Sequence, residues 1–248
     1  NWGSILKKYF YLCLFTFSIF SFSAEFDFSG YTNFLDKEIN RGNFPGFVTL
    51  VYKDGKVIFS DSRGFADIDD SIALNEDSLF RIYSMTKPIT GTALMILVEQ
   101  GKVSLSDPVA KYIPEFKNTK VLNSKTNQLE KLDREVTLLD LATHSSGLTY
   151  SFVDRGKIKE IYDQEKIYPY YFLDNVSLER PAKKSYPDIC TLSEKVATLP
   201  LVHQPGEKWT YSIGMDILGC VIERVSNLSF GEFLKKITYL HQIFSLRI

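Results

Sequence analysis

The hydrophobic and polar positions change period several times along the chain. Phe47-Val48-Thr49-Leu50-Val51-Tyr52 is a β-branched, aromatic run, Lys53-Asp54-Gly55-Lys56 interrupts it, and Val57-Ile58-Phe59-Ser60 resumes it. Two strand-like runs around an Asp-Gly pair predict a β-hairpin over residues 47–60. After a polar stretch from Asp67 to Asp77 comes Phe80-Arg81-Ile82-Tyr83, and then Ile89 to Gln100, which is apolar nearly all round. Such a segment is a buried helix rather than an amphipathic surface one, and Gly101 is its stop. The ring of Pro88 clashes with the carbonyl four residues before it, so the regular helix begins no earlier than about Ser84. Ser84 is thereby expected at the helix N-terminus. Thr137-Leu138-Leu139-Asp140-Leu141-Ala142 predicts a short helix with a Thr-x-x-Asp start and a stop at Gly147. Gln204-Pro205-Gly206-Glu207 is a turn. Beyond Asp216, apolar residues at 217, 218, 221, 222 and 225 keep a helical period. Residues 150–172, rich in Tyr and Phe, show no clear period; they line a pocket or, more simply, pack in the core.

The first residues stand apart from this pattern. Lys7-Lys8 precedes an almost unbroken apolar run from Tyr9 to Phe22, and Ser21-Phe22-Ser23 places small residues where a signal peptidase reads. Residues 1–23 are therefore expected to be a cleaved signal peptide, shorter than the ~20 apolar residues of a spanning helix. The expected compartment is secreted or periplasmic, with no stable membrane span after cleavage. Composition is globular, with 44% hydrophobic residues in 248, enough for one large domain or two intimately packed ones. The net charge of −1, which falls by two when Lys7 and Lys8 are removed, gives no electrostatic reason to expect a nucleic-acid partner. No phosphate loop and no metal-ligand spacing is present, so neither cofactor nor metal is expected. Cys190 and Cys220 can pair in an oxidising compartment, but spacing does not decide it. A free buried thiol at 220 is the simpler reading.

One tetrad carries chemistry. Ser84-Met85-Thr86-Lys87 puts a hydroxyl and an ammonium on one helix face, because positions i and i+3 are neighbours. The ammonium can depress the serine pKa, or a neutral lysine can take its proton, and the helix N-terminus favours a developing oxyanion. The tetrad alone is a weak signal, since Ser4-x-x-Lys7 repeats it in the leader and a capping serine with a solvated lysine would look the same.

Its surroundings are specific. Phe80-Arg81-Ile82-Tyr83-Ser84-Met85-Thr86-Lys87-Pro88, Gly101 to Val109, Tyr112-Ile113-Pro114-Glu115-Phe116 and Leu138 to Leu148 resemble blocks of the β-lactamase-related serine hydrolases, as do Pro45-Gly46-Phe47 and Arg63 to Asp67. The resemblance spans roughly residues 45–233. It points to the class C β-lactamase and penicillin-binding-protein type, esterase-like branch. It implies an α+β fold in which an antiparallel sheet is flanked by helices and joined to a helical domain, here about 84–236, with the site between them. Ser84 would be the nucleophile and Lys87 its protonated partner. Tyr211, in Trp209-Thr210-Tyr211-Ser212-Ile213, would be the general base and acid, although sequence leaves open whether Lys87 or Tyr211 moves the proton. Ile213 replaces the family's Asn, which leans away from β-lactamase activity. The substrate class implied is a small ester or a β-lactam-like molecule. The rivals are a β-lactamase or D-alanyl-D-alanine carboxypeptidase acting on β-lactams or cell-wall peptide, and a decayed, non-catalytic family member that binds peptide or a partner protein.

The family's third motif, Lys- or His-x-Gly, does not occur after Tyr211. Residues 24–248 are thus expected to be a partial domain without its C-terminal strands, and inactive alone. A motif-free His144 or His203 is expected to be structural, His144 as a cap on helix carbonyls. Sequence gives no oligomeric state.

Overall fold

The computed structural model describes residues 26–154, 156–167 and 186–241. The expected signal peptide and residues 168–172 of the aromatic stretch lie outside them. The chain divides into two compact units, one up to Phe80 and the other from Arg81.

The first unit holds α1 (Ser29–Asn40) and a meander of β1 (Gly46–Lys53), β2 (Lys56–Asp67) and β3 (Ile72–Ala73), all antiparallel. Asp54 and Gly55 both take positive φ, 48° and 76°, as a two-residue turn matched to strand twist requires. At the other end of the ladder Gly46 pairs with Gly64. Gly64 has φ +79°, and a Cβ there would sit 2.3 Å from the Pro45 carbonyl oxygen, so no side chain fits. Arg63 is held by Asp61 at 2.5 Å and by Asp36 of α1 at 2.6 Å. Leu35 and Glu38 are the buried residues among those described in this unit.

The second unit carries the main core. A 3₁₀ turn (Tyr83–Met85) runs into α2 (Thr86–Glu99). There follow the short hairpin β4 (Lys120–Leu122) with β5 (Leu129–Lys131), then α3 (Leu138–Ala142), α4 (Lys157–Gln164), α5 (Ile189–Ala197), α6 (Gly214–Ser226) and α7 (Phe230–His241). Helix α6 is the hub, packed by α2, α3, α5 and α7. Leu94 and Leu97 of α2, Leu138 and Leu141 of α3, and Ile217, Leu218 and Ile222 of α6 are fully buried together. Truncating one such leucine to Ala costs about 2–5 kcal/mol. Helices and antiparallel sheets together make the α+β class expected from the sequence.

Three local expectations change. Ser84 lies in the 3₁₀ turn, just ahead of the α-helix that begins at Thr86. Helix α3 has the Thr137–Asp140 capping box but ends at Ala142, because Thr143 and His144 turn away before Gly147 is reached. Cys190 and Cys220 are joined, with Cα atoms 4.8 Å apart, rather than remaining thiols. The packing of α5 against α6 brings them together, which no linear spacing reveals.

Candidate functional site

Ser84 follows a strained residue. Tyr83 has φ +45°, a conformation that costs a bulky L-residue of order 1–3 kcal/mol and is kept where the surroundings enforce it. The turn carries Ser84 to the mouth of α2, and Lys87 rises from the first turn of that helix. Tyr211 arrives from the segment before α6. Ser84 Oγ and Tyr211 Oη are 2.6 Å apart, and Lys87 Nζ donates to Ser84 Oγ at 3.3 Å. The Lys87 ammonium also lies 4.8 Å from the Tyr211 ring centroid and 5.6 Å from that of Tyr150. Residues 127 positions apart thus form one hydrogen-bonded cluster. It opens on a cavity of about 480 Å³ whose wall includes Tyr150, Phe152, Met215, Asp216 and Phe230.

The electrostatics separate the three groups. Burial pushes the Tyr211 phenol up, but hydrogen bonds with Lys87 and Ser84 and the charge of Lys87 outweigh it, so its pKa falls below the ordinary phenol value. Desolvation raises the Asp216 carboxyl, against the pull of Lys87. His144 is lowered by burial and by the Lys87 charge. Tyr150 is pushed up by burial, with Asp216 and Tyr211 adding to it. The two neighbouring phenols are therefore shifted in opposite directions, Tyr211 down and Tyr150 up, the kind of divergence that separates acid–base roles.

The Beta-lactamase family model matches residues 32–239. The chain belongs to the Beta-lactamase family. It is 36% identical over 198 residues to Protein Rv1367c of Mycobacterium tuberculosis, covering 79% of this chain and 45% of that protein. It is 31% identical over 191 residues to Esterase EstB of Burkholderia gladioli, covering 77% and 43%. The chain therefore spans less than half the length of either relative. Among solved structures, "EstCE1, a hydrolase with promiscuous acyltransferase activity" aligns with TM-score 0.66 at 23% identity, over 85% of this chain and 50% of that one. The penicillin-binding protein homologue from Pyrococcus abyssi aligns with TM-score 0.61 at 25% identity, over 88% and 44%. The family is that of β-lactamase-related serine hydrolases, with esterase relatives.

Within this Beta-lactamase family frame, all three residues expected from sequence meet at one point. Ile213, standing where a family Asn was expected, is buried ahead of α6 and is not part of the cavity wall. His203 is buried, its ring hydrogen-bonded to the Gln204 carbonyl at 2.8 Å and to Thr210 Oγ1 at 3.0 Å, a structural role. His144 caps α3 through its main-chain N–H, which donates to the Leu141 carbonyl at 3.4 Å, and not through its ring. It turns back with φ +58° and directs Nδ1 at Ser212. Asp216 and Ser212 carried no site reading in the sequence, whereas Tyr150 opens the 150–172 stretch read there as pocket lining or core packing, and it lines the cavity. The available signal for Asp216 was a lone acid in the first turn of an apolar helix. Among the described residues, no group of three or more His, Cys, Asp or Glu is placed to hold a metal ion, and no helix is long and apolar enough to cross a membrane.

Proposed function

We propose that the protein is a serine hydrolase that works through an acyl-enzyme on Ser84, cleaving or transferring small carboxylic esters. Ser84 Oγ attacks the ester carbonyl carbon while its proton passes to Tyr211 Oη. The carbon–alkoxy oxygen bond then breaks, and the departing alcohol takes that proton from Tyr211. Water attacks the acyl-enzyme, gives a proton to Tyr211, and the acid leaves as Ser84 Oγ is reprotonated. An alcohol in place of the water yields a new ester. Lys87 remains an ammonium and holds Tyr211 towards its phenolate form.

The observation that carries this reading is the 2.6 Å contact between the Ser84 and Tyr211 hydroxyls with Lys87 against both. The lowered Tyr211 pKa and the shorter contact favour Tyr211 over Lys87 as proton acceptor. The ester preference is supported by the mostly apolar, aromatic wall and by Ile213, which offers no amide for a β-lactam side chain. Export belongs to the same reading, resting on Lys7-Lys8 and the apolar run after it.

The test uses the full reading frame that contains this chain. A fluorophosphonate should label Ser84; Ser84→Ala should abolish labelling, and Lys87→Met should slow it at neutral pH, while the fold persists. A short-chain p-nitrophenyl ester should be turned over with higher kcat/KM than a chromogenic cephalosporin. Label on Ser145 or Ser146, or a clear cephalosporin preference, would overturn the assignment.

A further inference from the structure

Tyr211 has no secondary structure of its own to fix it, since α6 begins three residues later, at Gly214. Besides the Ser84 hydroxyl on its own hydroxyl and the His203 ring on Thr210 Oγ1, its segment is held by His144. The carbonyl oxygen of His144 accepts the Thr210 N–H at 2.8 Å. Its Nδ1 accepts the Ser212 N–H at 3.3 Å and lies 3.1 Å from Ser212 Oγ. The imidazole packs on the Tyr211 ring, with centroids 5.0 Å apart, and edge-on to Trp209 at 5.8 Å. Residues 210, 211 and 212 are thus each touched by His144, one by its main chain, one by its tilted ring and one by its ring nitrogen.

The grip fixes a protonation state. A ring nitrogen that accepts from a backbone N–H cannot carry a proton, so Nδ1 is bare and the neutral ring holds its hydrogen on Nε2. Ser212 is fully buried, and its oxygen accepts the Gly214 N–H at 3.3 Å, so its own hydrogen is left to point at Nδ1. Every partner of Nδ1 is then a donor, and protonating it would set donor against donor. The groups that face the ring are the Lys87 ammonium from α2, the Tyr211 phenol, and Trp209 and Ser212 from the segment before α6.

We propose that His144 is a positioning residue of the reaction: a neutral imidazole that clamps the 210–212 main chain and so keeps the Tyr211 hydroxyl on Ser84. The proposal rests on the reading of Tyr211 as the proton-transfer group. The left-handed backbone at 144 narrows the replacements that keep the clamp. Asn tolerates that conformation and can present Oδ1 where the imidazole presents Nδ1, whereas Ala does neither.

Two measurements on the full reading frame test it. In the first, ¹⁵N-histidine NMR of the wild-type protein at neutral pH should show His144 as the Nε2–H tautomer, independently of any activity. An Nδ1–H tautomer or an imidazolium would overturn the clamp. In the second, the rate of Ser84 labelling by a fluorophosphonate is followed in His144→Ala, His144→Asn and Tyr211→Phe, with thermal unfolding recorded for each. His144→Ala should be slowed on the order of 10–100-fold, as small misplacement of a catalytic group commonly does. His144→Asn should stay within a few-fold of wild type and should lack the loss of rate that protonation of the imidazole adds on acidification. Introducing His144→Ala into Tyr211→Phe should slow it little further, because the partner it positions is already gone. A slow Tyr211→Phe with wild-type labelling in His144→Ala would sink the clamp alone. Equal slowing by His144→Ala in both backgrounds would sink it too, by showing that the effect bypasses Tyr211. A wild-type rate in Tyr211→Phe would overturn the functional reading and the clamp with it.

Discussion

Asp140 ties together the segment that carries His144, and its replacement by Asn should destabilise the second unit measurably. The carboxylate accepts from the Thr137 N–H at 2.9 Å and the Thr137 hydroxyl at 2.8 Å, closing the N-terminal capping box of α3. It also takes both ends of the Arg134 guanidinium, at 2.5 and 2.8 Å, and the Ser145 hydroxyl at 3.2 Å. Breaking a buried pair costs about 3–5 kcal/mol. Here the Asp140 side chain is 6% exposed but that of Arg134 is 45% exposed, so water screens and re-solvates the arginine and the upper figure does not apply. Asn keeps one acceptor for the capping box and loses the charge and the second acceptor, which leaves about 2 kcal/mol. For a chain of this size that is a fall in Tm of about 4–8 °C. Burial works against the ionised carboxyl, yet Arg134 and Thr137 together hold its pKa below the ordinary value. A depressed folded-state pKa contributes stability that is fully present above the unfolded value and lost as pH falls through the folded one. The difference between wild type and Asp140→Asn, followed by denaturant unfolding from pH 7 downwards, should therefore be constant near neutrality and shrink below about pH 4. A loss at pH 7 no larger than the ~0.5 kcal/mol of an exposed ion pair, or one that does not shrink on acidification, would refute the reasoning.

Four further outcomes follow from the same geometry. Tyr211→Phe should lower kcat/KM of the full reading frame on short esters by about 10²–10⁴-fold with little change in Tm, as steady-state kinetics and calorimetry will report. Because Lys87 lowers the Tyr211 pKa and the Asp216 charge raises it, substituting either should move the acidic limb of the pH–rate profile. Lys87→Met should shift it to higher pH and Asp216→Asn to lower pH, and shifts of the same sign would contradict the assignment. Gly147→Ala should cost more than the ~1–2 kcal/mol of a left-handed L-residue, since φ is +84° and the new Cβ would meet the His203 carbonyl oxygen at 2.3 Å; equilibrium unfolding measures it. The Cys190–Cys220 bond closes a loop of 30 residues, worth about 3–4 kcal/mol on the chain-entropy account. A reductant should therefore lower the Tm of the wild type and leave Cys190→Ser unmoved.

The parts of this protein legible in the sequence are those that local chemistry fixes. An Asp-Gly pair between β-branched runs makes the β1–β2 turn, because only a few residues accept two successive positive φ values. The Thr137-x-x-Asp140 box starts α3, and the apolar period from 217 to 225 makes α6, because both are set by neighbours three or four residues away. The Ser84-x-x-Lys87 spacing likewise sets those two side chains within reach of one turn of helix. What the linear order left open is whatever depends on α6 meeting the rest of the fold. That packing puts Tyr211 on Ser84, joins Cys190 to Cys220, brings Asp216 and Tyr150 to one wall, and directs the His144 imidazole, expected on the carbonyls of α3, onto 210–212. These contacts join residues up to 127 positions apart, and no periodicity encodes them. They are decided by which apolar faces bury each other, and that is settled only when the helices pack.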